Sequence, residues 1–254
     1  GKSEILKSIT HQCGYPLAEY VSVETGTRTG LIFAIDMETK TILWGVIVLN
    51  DRGMVVMDGL QRMSSEEIGE FREAIHQQEI IVNKIQKGRA LARTRLVSAT
   101  NTGTVTETDV SDYVFPCQAL LDTPVFSKAA DITRYNFFVP FGHDDVSAQE
   151  ISERVAHTLP MDKEVFTRHV LWAWSREPHQ IQYTEGTKEA IISSTKRLMR
   201  KYNNKVIPII NNSCRELVTK ASVSFACLYH STDESHENVL VTPEMVSHAE
   251  SFLT

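Results

Sequence analysis

Residues 54–63 read MVVMDGLQRM. Four apolar residues run straight into Asp58, and Gly59 follows. The run comes directly after the turn signal NDRG at 50–53. It predicts a short strand buried on both faces, the kind found inside parallel sheets. A carboxylate at the end of such a strand is well placed to hold a magnesium ion. In nucleotide hydrolases a second carboxylate usually comes next and activates water. Here that place is Gly59.

On the C-terminal side, SSEEIGEFREAIHQQ (64–78) opens with a serine cap and early glutamates. It places Ile68, Phe71 and Ile75 on one face, which predicts a helix. Glu79 to Val82 and Leu91 to Ala99 predict strands flanking a basic turn, NKIQKGRALAR, and the second leads into Asn101. On the N-terminal side, Ser3 to Gln12 carries Ile5, Leu6 and Ile9 at helical spacing. The glycines of TGTRTG mark a loop. Leu31 to Ile35 and Thr41 to Leu49 predict a hairpin with METK as its turn. Residues 102–125 read as a polar surface loop, and Phe137 to Val139 as another short strand. Beyond about residue 145 the spacing is helical: Ala148–Thr158, Lys163–Trp174, Glu185–Tyr202, Ser213–Tyr229 and Pro243–Leu253. The expected layout is an α/β domain over 1–145, a parallel sheet between helices, then an all-helical domain over 146–254.

The chain has 254 residues, 42% apolar and 23% charged, the balance of an ordinary globular protein. A net charge of -6 excludes a polycation, so any nucleic-acid contact must come from a local basic patch. Cys13, Cys117, Cys214 and Cys227 form no CxxC pair and read as reduced thiols. No apolar run is long enough to span a membrane. The opening GKSEILKSITHQC lacks the apolar core of a signal peptide.

Gly1, Lys2 and Ser3 match the last third of the phosphate-binding pattern GxxxxGK[ST]. There the lysine neutralises the β- and γ-phosphates, the serine hydroxyl ligates magnesium, and the following helix offers its first amides. Three residues are weak evidence: the glycine-rich half is absent from this sequence, so either the chain is a fragment of a longer protein or the motif is accidental. Position strengthens them. The strand ending at Asp58 comes next, then a strand ending at Asn101. Those elements in that order, before a helical region, describe the AAA+ ATPases.

The middle of the chain resembles the MCM replicative helicase family. Members typically read LExGALVLADxG, DEFDKM, HEAMEQQ, a lysine-bearing hairpin, NARxxxxAAxNP and SRFDL. Here stand ILWGVIVLNDRG (42–53), MDGLQRM (57–63), REAIHQQ (72–78), NKIQKG (83–88), ARTRLVSATN (92–101) and TRYNF (133–137). GTRTGL (26–31) and the C-terminal helices, with a VTxED-like element at Val241, extend the likeness. Six weak matches in order are together specific. Within the family the chain looks most like a divergent MCM-domain branch linked with meiotic recombination and break repair.

The resemblance implies an AAA+ core with a helical lid, using ATP and magnesium. Gly1, Lys2 and Ser3 would bind nucleotide, and Ser3 and Asp58 the metal. Asn101 matches the first sensor and Arg134 the arginine finger. Gly59 replaces the glutamate that deprotonates water. The second-sensor position falls on Ser213, and Arg215 serves only if the register slips. His76 replaces a family glutamate and Thr102 a family proline. Lys84 matches the hairpin lysine that touches DNA, with Lys87 and Arg89 as further candidates. Glu66 and Glu67 read as helix N-terminal charge, with rescue of the lost carboxylate a minor alternative.

Three functions follow as expectations. The first is a DNA-associated subunit of a homo- or hetero-oligomeric ring, nuclear (cytoplasmic in a prokaryote), with lost or weakened hydrolysis. The others are an active ATP-dependent helicase and a non-enzymatic scaffold. Under the first, Gly59→Glu is expected to raise turnover.

Overall fold

The computed structural model describes residues 2–11, 17–24, 28–63, 65–83, 86–102, 108–126, 129–145, 147, 162–202, 207, 209–211 and 213–254. The chain divides into two compact units, Gly1–Arg168 and His169–Thr254. The division falls inside a helix, Lys163–Trp174.

In the first unit, helix α1 (Lys2–His11) leads to β1 (Ala18–Ser22), a strand not expected from the sequence. A hairpin of β2 (Phe33–Ile35) and β3 (Ile42–Trp44) follows, then β4 (Met54–Asp58) and α2 (Ser65–Gln77). A second hairpin, β5 (Glu79–Asn83) with β6 (Lys87–Leu91), precedes β7 (Arg95–Ala99). Strands β1, β4 and β7 form a parallel sheet in that order. The central strand is the one the sequence singled out. Val55, Val56 and Met57 are fully buried, each contributing about 1.5–3 kcal/mol. Helix α1 packs against all three strands. Leu6 carries its burial, while Ile5 stays exposed. In α2 the buried face is Ile68, Phe71 and Ala74, with Ile75 only half-covered.

Three sequence-predicted strands differ. Thr41 to Leu49 breaks at Gly45 into β3 and a short helix, Val46–Leu49. A Cβ at Gly45 would lie 2.4 Å from the backbone of Ile32, so the chain passes there only without a side chain. Gly45→Ala is expected to cost about 1–3 kcal/mol by overpacking, read as a lower midpoint in urea unfolding. Leu91 to Ala99 splits at Ala92–Thr94. There the Thr94 hydroxyl donates to the Ile47 carbonyl (2.6 Å). The Arg93 guanidinium pairs with Asp51 at 2.5 Å. These long-range bonds turn the chain from hairpin to sheet. Phe137 to Val139 is irregular, with no partner strand among the described residues. Phe138 instead packs edge-on against Phe126, ring centroids 5.4 Å apart.

The second unit is helical but not all-helical. Helix α3 (Lys163–Trp174) enters it, followed by α4 (Thr187–Tyr202), α5 (Cys214–Leu228) and α6 (Pro243–Phe252). Two three-residue strands, β8 (Ile181–Tyr183) and β9 (Val239–Val241), pair in parallel. They are too short for periodicity to reveal. Helices α4, α5 and α6 bury Ile191, Leu198, Leu217, Val218 and Val246 together. Thr242 caps α6 through the Met245 amide, with Pro243 in the first turn, as the sequence expects. The helix expected over Ala148–Thr158 lies outside the described residues.

Candidate functional site

Register makes the site. Ser22, Asp58 and Ala99 stand side by side at the carboxyl ends of β1, β4 and β7. In parallel sheets ligands bind in the crevice beyond those ends. The bond from the Val23 amide to the Asp58 carbonyl (2.8 Å) and from the Gly59 amide to the Ala99 carbonyl (3.2 Å) extend the row by one residue. A cleft of about 130 Å³ opens there, lined by Lys2, Ser3, Asp58, Gly59 and Asn101, with Ser22, Glu24, Gln61, Ala99 and Thr100. Helix α1 reaches it with its first turn, so the leading amides of a ten-residue helix open onto the same space. Such an end attracts anions.

Within the cleft the Lys2 ammonium donates to the Thr100 carbonyl at 3.3 Å. Burial lowers its pKa, and the charges of Asp109 and Asp58 oppose that shift. A half-buried cation gains from an opposite charge brought to close range. The Tyr20 hydroxyl donates to Asp58 Oδ2 at 3.0 Å and orients that carboxylate. The Asn101 amide donates to Gln61 Oε1 at 3.2 Å, which ties the end of β7 to the turn after β4.

Gly59 sits at φ +88°, ψ +38°, the left-handed region. A non-glycine residue there costs about 1–2 kcal/mol. A Cβ would also approach Glu24 Cγ to 3.3 Å. The backbone at this position therefore favours glycine. Gly59→Glu is expected to lower the melting temperature and leave turnover no higher, the reverse of the expectation from sequence alone. A phosphate-release assay showing faster turnover at unchanged stability would mean the turn relaxes freely.

The other sequence-predicted residues lie elsewhere. Gly1 and Lys84 are outside the described residues. Arg134 is half-buried, its Nη1 donating to the Arg72 carbonyl at 3.0 Å. Beside it Arg72 pairs with the buried Asp131 at 2.7 Å. Arg134 does not line the cleft. Lys87 is exposed at the start of β6. Arg89 is tied across the hairpin to Glu79 at 2.6 Å, so its charge is already matched. Arg215 is exposed in the first turn of α5, in the second unit. Glu67 does not line the cleft.

The MCM P-loop domain model matches residues 1–109. The match supports an MCM-type AAA+ domain over those residues. No curated protein matches the chain. An MCM P-loop domain is a nucleotide-binding module, and MCM proteins form oligomeric rings and bind DNA. The matched segment holds every residue of the cleft. No helix among the described residues is long and apolar enough to cross a membrane.

The sequence reading of this MCM domain missed Tyr20, Ser22, Glu24 and Gln61. The signal for the first three was present: with the Tyr20 hydroxyl counted as polar, YVSVE (20–24) alternates polar and apolar residues, the pattern of a strand. Gln61 had no local signal, because its role depends on the end of β7.

Proposed function

We propose that this MCM domain binds a nucleoside triphosphate with magnesium in the cleft and hydrolyses it weakly. The carrying observation is the meeting of Lys2, Ser3, Asp58 and Asn101 in one cleft where Gly59 stands in place of a glutamate. Lys2 holds the β- and γ-phosphates, and the first amides of α1 cradle them once the glycine loop precedes Gly1. Asn101 faces the γ-phosphate or the attacking water. Ser3 and Asp58 supply the hard oxygen donors that magnesium prefers. A nucleotide-bound magnesium needs only one or two protein ligands, so this small set suffices. When bound, magnesium neutralises charge building on the phosphate oxygens. Loss of a positioned base costs about 10²- to 10⁴-fold, which is why hydrolysis is weak.

The protein then serves as a DNA-associated subunit of a homo- or hetero-oligomeric ring of MCM-like chains, in recombination and repair, in the nucleus. Arg134 reaches a neighbour's nucleotide, and the hairpin carrying Lys84 and Lys87 touches DNA phosphates. The test is binding of a fluorescent, non-hydrolysable ATP analogue by the chain with its complete glycine loop. Magnesium-dependent binding supports the reading. Absence of binding favours a scaffold without nucleotide.

A further inference from the structure

We propose that Glu24 supplies the carboxylate that position 59 lacks, acting as general base for the residual hydrolysis. The inference rests on the nucleotide-binding reading above. Glu24 lies two residues beyond Ser22 and lines the same cleft as Lys2, Asp58 and Asn101. Its Cγ is 3.3 Å from the point where a side chain at residue 59 would begin. A side chain at residue 59 would therefore intrude, from its first carbon, on the volume that the Glu24 stem fills. Glycine at 59 leaves that volume to Glu24.

Two further contacts hold Glu24 there. The Val23 amide is bonded to the Asp58 carbonyl, which pins the backbone before Glu24 to the strand that carries Asp58. Arg62 Nε lies 3.4 Å from Glu24 Oε1, in an exposed ion pair. Such a pair contributes little to stability; it ties Glu24 to the turn that follows Gly59. Gln61, in the same turn, completes that wall of the cleft.

In the step, Glu24 takes a proton from a water molecule as the water oxygen bonds to the γ-phosphorus. The bond between the γ-phosphorus and the β–γ bridging oxygen breaks, and its electron pair leaves with the nucleoside diphosphate. The proton on Glu24 then passes to solvent, which restores the carboxylate. No oxidant or further reactant is needed.

The experiment compares wild type, Glu24→Gln and Glu24→Asp in the chain with its complete glycine loop, measuring analogue binding and phosphate release. Glu24 is more than half exposed, so neither change is expected to unfold the chain, and a thermal melt checks this. The proposal expects analogue affinity unchanged and turnover lowered about tenfold to a hundredfold in Glu24→Gln, part of the roughly 10²- to 10⁴-fold that a fully positioned base is worth, with partial activity in Glu24→Asp. Equal turnover in wild type and Glu24→Gln overturns it. Wild type that binds the analogue without any turnover also overturns it, and leaves the binding reading standing. Failure of wild type to bind the analogue removes both.

Discussion

Arg134→Ala is expected to leave nucleotide binding by its own subunit intact and, in the ring proposed above, to slow turnover by about 10³- to 10⁵-fold. The residue does not line its own cleft. It projects from a turn fixed by the Arg72–Asp131 ion pair, in which Asp131 is only 4% exposed. Breaking a buried pair by removing one partner costs about 3–5 kcal/mol, so this anchor is stiff. Arg134 itself is bound to it by one hydrogen bond to the Arg72 carbonyl. A guanidinium has five donors, so that bond leaves it capacity for phosphate oxygens. The decisive measurement mixes two inactive chains. Arg134→Ala has an intact cleft, and a Lys2 variant has an intact arginine. Phosphate release returning on mixing shows action across an interface. If the mixture stays silent while Arg134→Ala alone loses affinity for nucleotide, the arginine acts within its own subunit.

Lys2→Ala is expected to weaken binding of the triphosphate analogue by about tenfold to a hundredfold, the worth of one charged hydrogen bond. Its ammonium is the cation lining the described cleft, and burial already makes its charge costly to keep. A triphosphate relieves that cost by supplying the opposite charge at close range. Lys2→Arg keeps the charge but changes the head group from a point to a plane, so it is expected to fall between. Fluorescence titration of the three chains checks the order. Equal affinities for all three would place the phosphates elsewhere.

The two glycines at 45 and 59 divide what could be read in advance from what could not. Gly59 was legible as a missing carboxylate, because it follows an apolar strand and an aspartate in sequence. Its positive φ and its closeness to Glu24 were not legible, since both depend on how β1 lies beside β4. Gly45 sat inside an apolar run and read as strand. Only the backbone of Ile32, passing 2.4 Å from where a side chain would start, explains why the chain turns there.

Local order was a property of the sequence by itself. The buried strand ending at Asp58, the capped helix after it, the helices of the second unit and the succession of family motifs all follow from burial periods and caps, which act over one or two turns of chain. The convergence was decided by the tertiary structure. Parallel pairing set Ser22, Asp58 and Ala99 in one row. That row brought Lys2 and Ser3 from one end of the domain, Asn101 from another and the unforeseen Glu24 into a single cleft. Strand register is set by hydrogen bonds between segments far apart in the chain, and no local period carries it.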